Sequence, residues 1–195
     1  PASRSDYERA VKPHDRGAVL VAAVFEAFIK IYTNHTEKLF RLASSGTGVL
    51  PPGNIPHDLV EALAEAAARI ADRVLNICIR ALDYCPPVDL EFGEYLRALI
   101  TADRDLIPDD GHLYRVAFVQ AFRARGIYPP GVNNLSIDAL VWDRPDFDYG
   151  SLQRVIAAHS RDWSLKDDRY KAYVQSNALA KEIHQWIVGV ASKEL

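Results

Sequence analysis

The chain has 195 residues, of which 49% are hydrophobic and 25% charged, enough apolar side chains to bury one core, with or without an appendage, and too many for a disordered chain. Its formal charge of −3 comes from mixed signs with no basic stripe, so neither nucleic acid nor a membrane surface is expected as a partner. The two cysteines, Cys78 and Cys85, are expected to be free thiols, and no leader pattern opens the sequence, so a cytoplasmic location is expected.

Residues 1–12 are polar without an apolar period and read as an arm leading from polypeptide upstream. With no methionine and an opening Pro1, the sequence reads as a piece of a longer protein. Pro13-His14-Asp15-Arg16-Gly17 then runs directly into an apolar stretch, Ala18 to Tyr32, interrupted only by Glu26 and Lys30. That pattern predicts a core helix from about Asp15, as N-cap, to about Tyr32, short of the roughly 20 apolar residues that span a bilayer. A short amphipathic helix is expected to follow through Lys38, Leu39, Phe40 and Leu42, and then a loop over Ser44–Gly48 and Pro51–Gly53.

Leu59, Leu63, Ala67, Ile70, Val74, Ile77 and Ala81 recur at steps of three and four, which predicts a long amphipathic helix over 57–84, ended by Pro86-Pro87. Its charged residues Glu61, Glu65, Asp72 and Arg73 read as a solvated stripe. Further helices are expected over 91–104 and 111–125, the second stopped by Gly126. A turn-rich connection follows, with a short strand or helical turn at Ile137–Trp142, and two helices close the chain over 149–160 and 167–191. On the last of these, Tyr170, Tyr173 and Trp186 read as core aromatics. The expected fold is therefore an all-α multi-helix bundle.

The helix N-terminus beginning at His14 carries the chemistry. A helix apolar on nearly every side must be buried, whereas its first turn presents unpaired backbone N–H groups and faces solvent or a ligand. His14 thus stands at a boundary. A self-contained zinc site needs two histidines one helical turn apart, and none of the six histidines lies three or four residues from another. The cysteines lack the setting of a nucleophile, and Cys78 falls on the apolar face of its helix. Asp143, Asp146 and Asp148 lack the glycine and terminal glutamate of a calcium loop and read as a solvated turn.

Three segments in a fixed order carry a family resemblance. Pro13-His14-Asp15-Arg16-Gly17 before an apolar helix is similar to the Val-His-x-Asn-Ser-Gly segment of the thermolysin-like (gluzincin) zinc metallopeptidases. Arg80-Ala81-Leu82-Asp83-Tyr84, then Phe92, Tyr95 and Leu96-Arg97-Ala98, resembles that family's Arg-Ala-Leu-x-x-Tyr-Leu, loop, Phe, Leu-Arg-Ala-Ala order. Val119-Gln-Ala-Phe122 before Gly126-Ile127 is similar to its Val-x-x-Ala-Phe-x-x-Val-Gly. The likeness spans residues 11–128, the C-terminal helical lobe, with a helical insertion around 33–57 in place of a short loop. Residues 1–12 form the arm, and 129–195 are expected as a helical extension packed on the lobe.

The resemblance implies that His14 is a catalytic residue of the parent enzyme, donating to the oxyanion of the tetrahedral intermediate; the residues alone allow equally a structural histidine at a helix terminus. Arg16 is a lesser candidate, offered either a surface pair with Asp15 or a substrate carboxylate. Where family members carry an acidic residue before the histidine, Val11 and Lys12 stand here, with Glu8 and Asp15 as substitutes. The zinc histidines and the catalytic glutamate have no counterpart, so the chain is expected to hold no metal or cofactor and to be inactive alone. In the parent, zinc would reside in an N-terminal lobe of the same polypeptide, acting on a peptide substrate. The alternative expectation is a non-catalytic helical interaction module on this scaffold. Either way, an uncovered apolar patch would favour self-association.

Overall fold

The computed structural model describes residues 2–86, 89–143, 149–160 and 168–191. Among them are eight α-helices and no strand: α1 (Asp6–Arg9), α2 (Pro13–Ala43), α3 (His57–Ala81) running into a 3₁₀ turn at Leu82–Tyr84, α4 (Phe92–Leu106), α5 (Tyr114–Ala124), α6 (Ile137–Leu140), α7 (Tyr149–Ser160) and α8 (Arg169–Ala191). The all-α expectation holds. The chain divides into two compact units, Pro1–Trp142 and Asp143–Leu195.

α2 departs most from the sequence reading. Two helices were expected here, and a single one of 31 residues forms. Pro13 takes the first helical position, where its missing N–H costs nothing, and Lys12 is the N-cap, so Asp15 lies inside the first turn rather than at the cap. The helix runs on through the Asn34-His35-Thr36 segment. Thr33 Oγ1 donates to the Ile29 carbonyl and Thr36 Oγ1 to the Tyr32 carbonyl, each at 2.8 Å. The helix stops where Ser45 and Gly46 take positive φ and the Gly46 N–H closes on the Arg41 carbonyl at 2.7 Å. By length and composition α2 could cross a bilayer, but it is packed against α3 and α5.

The core follows the helical periods. α3 buries Leu59, Ala66, Ile70, Val74, Ile77 and Ala81, close to the predicted stripe. α2 buries Ala23, Ala27 and Ile31, and α5 buries Ala117, Phe118, Ala121 and Phe122. Alanines on both helices allow close approach, with Phe118 and Phe122 filling the space around them. α5 ends on Gly126 as expected, at φ +75°, with the Ile127 N–H returning to the Phe122 carbonyl.

The 1–12 segment was expected as a polar arm. It instead folds back as α1 and lies on the bundle. Tyr7 N–H donates to the Arg125 carbonyl at 3.2 Å, the Tyr7 ring meets Phe92 at 5.6 Å, and a Cβ at Gly126 would run into the Arg4 carbonyl. At the other end of the unit, where the sequence left a short strand or a helical turn open, a helical turn forms as α6. Leu140 is fully buried, Arg97 Nε donates to its carbonyl at 3.2 Å, and the Arg97 guanidinium lies 3.6 Å from the Trp142 ring centre.

In the second unit α7 pairs with α8, and Trp186 Nε1 donates to Ser151 Oγ at 2.8 Å. The half-buried stripe of α8 is Ala172, Gln175, Leu179, Ile183, Trp186 and Val190, spaced by three and four. Tyr170 and Tyr173 fall outside it and are 72% and 64% exposed, which corrects their reading as core aromatics. The apolar residues of α8 are spread around the helix, so one neighbouring helix cannot cover them all. Of the turn aspartates, Asp143 is exposed; Asp146 and Asp148 lie outside the described residues.

One buried ion site joins three of these helices. Asp103 of α4 is fully enclosed and accepts from Arg115 Nε of α5 at 2.8 Å and from Arg73 Nη2 of α3 at 2.9 Å. Arg73, read from sequence as part of a solvated stripe, is instead turned inward and lies over the Tyr114 ring at 3.7 Å. Removing the carboxylate strands two guanidiniums. Asp103→Ala is expected to cost about 3–5 kcal/mol in urea unfolding, and Asp103→Asn to recover only a part of that loss. A loss below about 1 kcal/mol in Asp103→Ala would contradict this assignment.

Candidate functional site

His14 occupies the second position of α2, where first-turn N–H groups point out of the helix and the macrodipole is positive. Its ring is exposed and has no hydrogen bond or ion pair with a described residue. Arg16 does not reach outward beside it. Arg16 Nε donates to the Ala10 carbonyl at 2.8 Å and the guanidinium stands over Tyr7 at 5.4 Å, so Arg16 pins the arm against the opening turn of α2. The two residues singled out in sequence thus differ in setting: His14 faces solvent, and Arg16 is engaged in the fold.

From Leu20, about 9 Å farther along the helix axis, α2 forms one wall of an apolar groove. The groove has a volume of about 620 Å³, and its other walls are α3 and the start of α4. Leu20, Val24, Phe28, Val74, Cys78 and Tyr95 lie at or near its floor, while Val21, Phe25, Leu75 and Leu82 stand at its edges, each more than half exposed. Tyr95 anchors the floor by donating its hydroxyl to the Cys78 carbonyl at 3.0 Å. Burial pushes its phenol pKa upward, so it stays protonated. Burial likewise raises the Cys78 thiol, and desolvation with the Glu94 charge raises Cys85. Both cysteines are free and half-buried, and neither is activated as a nucleophile.

Two further clusters stand in this unit, and only the first was invisible in the sequence. His35 of α2 and His112 of the α4–α5 loop meet with ring centres 4.8 Å apart, although no local spacing links them. His35 Nδ1 is buried without a partner. Its pKa is depressed by that burial first, then by the neighbouring His112 and Arg69 charges. The second cluster is His57, Asp58 and Glu61, whose ligand atoms lie within 4.8 Å of one another on the exposed first turn of α3. Such an exposed, single-turn group is a common surface feature and no enclosed metal site.

Glu26, midway along α2, links the helix to α5. Burial alone would raise its carboxyl, but hydrogen bonds from Arg125 and Lys30 outweigh that and hold its pKa below the usual range. Tyr84, at the end of the 3₁₀ turn, donates to Asp105 Oδ2 at 2.6 Å, and that bond raises its pKa.

No family model, curated protein or solved structure matches this chain. The likeness around His14 therefore rests on the sequence segments alone.

The depressed pKa of His35 fixes a pH response. The folded protein favours neutral imidazole, so the contribution is complete above the unfolded value of 6.5 and is lost as pH falls from there toward the lower folded value. Thermal unfolding across this window should show Tm falling on acidification, and His35→Gln should flatten the slope. An unchanged slope in the variant would exclude His35 as its source.

Proposed function

We propose that this chain forms the helical half of a two-lobed peptidase cleft, in which His14 donates a hydrogen bond to the oxyanion of a tetrahedral intermediate. The observation that carries this reading is the exposure of His14 in the opening turn of α2. An oxyanion there meets an imidazole N–H and the positive end of a long helix together, and both favour negative charge as it develops. Arg16, by fixing the arm through Ala10 and Tyr7, keeps the turn that carries His14 in place. It is a positioning residue under this reading.

The side chains present do not fit a resident catalytic zinc. No histidine pair has one-turn spacing, and among the described residues the one three-ligand cluster is the exposed His57, Asp58 and Glu61 group. Metal binding and water activation are assigned to a separate, N-terminal lobe of the same polypeptide, and no reaction step is assigned to the metal here. In a polypeptide with both lobes, His14→Ala is expected to lower kcat by about 10²–10³-fold with unchanged zinc content. The 195-residue chain alone is expected to bind no stoichiometric zinc in elemental analysis. Full activity of His14→Ala, or stoichiometric zinc in the chain alone, refutes the assignment.

The groove favours a second reading, a non-catalytic module that takes the apolar face of an amphipathic helix between α2 and α3. Val21 and Phe25 are spaced one helical turn apart at its edge and are 68% and 61% exposed, well suited to contact a partner helix. Phe25→Glu should abolish such binding, and self-association with it, while changing folding stability by about 0.5 kcal/mol or less. Retained binding by this variant would place the interaction elsewhere.

A further inference from the structure

The enclosed Asp103 carboxylate meets two guanidiniums. Arg115 also donates to the carbonyls of Pro108, at 3.2 Å, and Ile107. Arg73 is less fully engaged: it gives Nη2 to Asp103, while its Nε is buried with no hydrogen-bond partner and a fifth of its side chain stays exposed. The Tyr114 ring, 3.7 Å from the guanidinium carbon, holds the group in place.

A cavity of about 470 Å³ opens at this point, with Arg73, Asn76, Arg80 and Asp103 in its lining and Leu106 and Ile107 as an aliphatic wall. Of the charged side chains in this lining, Arg73 and Arg80 are cations and Asp103 is the one carboxylate. Other carboxylates stand nearby and keep their negative charge, among them Asp110, which accepts the Tyr114 and Arg115 N–H groups. Asp83 meets Arg80 at 3.5 Å on an exposed rim, and Asp105 accepts from the Tyr84 hydroxyl at 2.6 Å. Asn76 is fixed by donating Nδ2 to the Asp72 carbonyl at 2.9 Å.

We propose that this cavity between α3 and α4 binds a small oxyanion, a carboxylate or a phosphate, held by Arg73 and closed over from the rim by Arg80. A guanidinium fixed by an aromatic face and a buried carboxylate presents its exposed Nη N–H donors, not the enclosed Nε, already oriented, so little rotamer entropy is lost when an anion docks. The partly enclosed setting strengthens the attraction relative to a surface lysine or arginine. The cavity volume is in the range of small-ligand sites. This site stands apart from His14 and does not depend on the role given to that residue.

Inorganic phosphate and, separately, N-acetylglycine are titrated into the full chain at constant ionic strength, with chloride as control, and Tm is followed. A saturable rise in Tm beyond the chloride control is expected with at least one of them. Phosphate alone, or N-acetylglycine alone, identifies which oxyanion the site takes; saturation by both identifies a general oxyanion site. Asn76→Asp, which adds a negative charge at an exposed position of the lining, and Arg80→Ala, which removes the rim cation, should each weaken the apparent affinity at least about tenfold. Both positions are exposed, so the fold tolerates the changes. No saturable rise with either anion, or an undiminished one in Asn76→Asp, overturns the proposal.

Discussion

The first unit is organised around one charged group taken out of water. Asp103, on α4, is fully buried and draws Arg73 from α3 and Arg115 from α5 onto its two oxygens. Burying a lone carboxylate is prohibitive, so the three helices must adopt the one arrangement in which both guanidiniums reach it. Asp110 extends the same logic by accepting the Tyr114 and Arg115 N–H groups at 2.7 and 3.1 Å, which starts α5 in the register that aims Arg115 inward. Hydrophobic burial drives the collapse; these bonds select the geometry.

α2 is placed by contacts of another kind. Its alanine face meets α3 and α5, and Glu26 reaches Arg125 and Lys30 beside that contact. With Ala23, Ala27 and Ile31 committed to the core, Leu20, Val24 and Phe28 are only partly covered, and Val21, Phe25 and Ile29 stand exposed. The groove is thus a consequence of how α2 packs. His14 belongs to the same helix, upstream of the groove, and the arm held by Arg16 and Tyr7 braces its turn. The chemistry available there is that of a donor at a helix N-terminus.

Helix content, the long α3 stripe, the stop at Gly126 and the two closing helices were legible in the sequence, because periodicity and breakers are local signals. His14 as a boundary residue was legible for the same reason. The continuity of α2 was not: the polar run Thr33-Asn34-His35-Thr36-Glu37 interrupts the apolar pattern, yet the helix passes through it. Arg73 was misassigned because a charged residue carries no local mark of its partner. One clue was present: Asp103 continues the stripe of Phe92, Leu96, Leu99 and Ile100, a position that a helical wheel places toward the core.

By itself, then, the sequence determined most of the helical segments, though not α1 or the unbroken length of α2, and which histidine opens the apolar helix, all consequences of spacing within a few residues. The tertiary structure alone decided that Asp103 pairs with two arginines, that His35 meets His112, that Arg16 holds the arm, and that one face of α2 lines a groove. These contacts join residues distant along the chain, and their energies depend on burial and charge proximity that only the packed helices create.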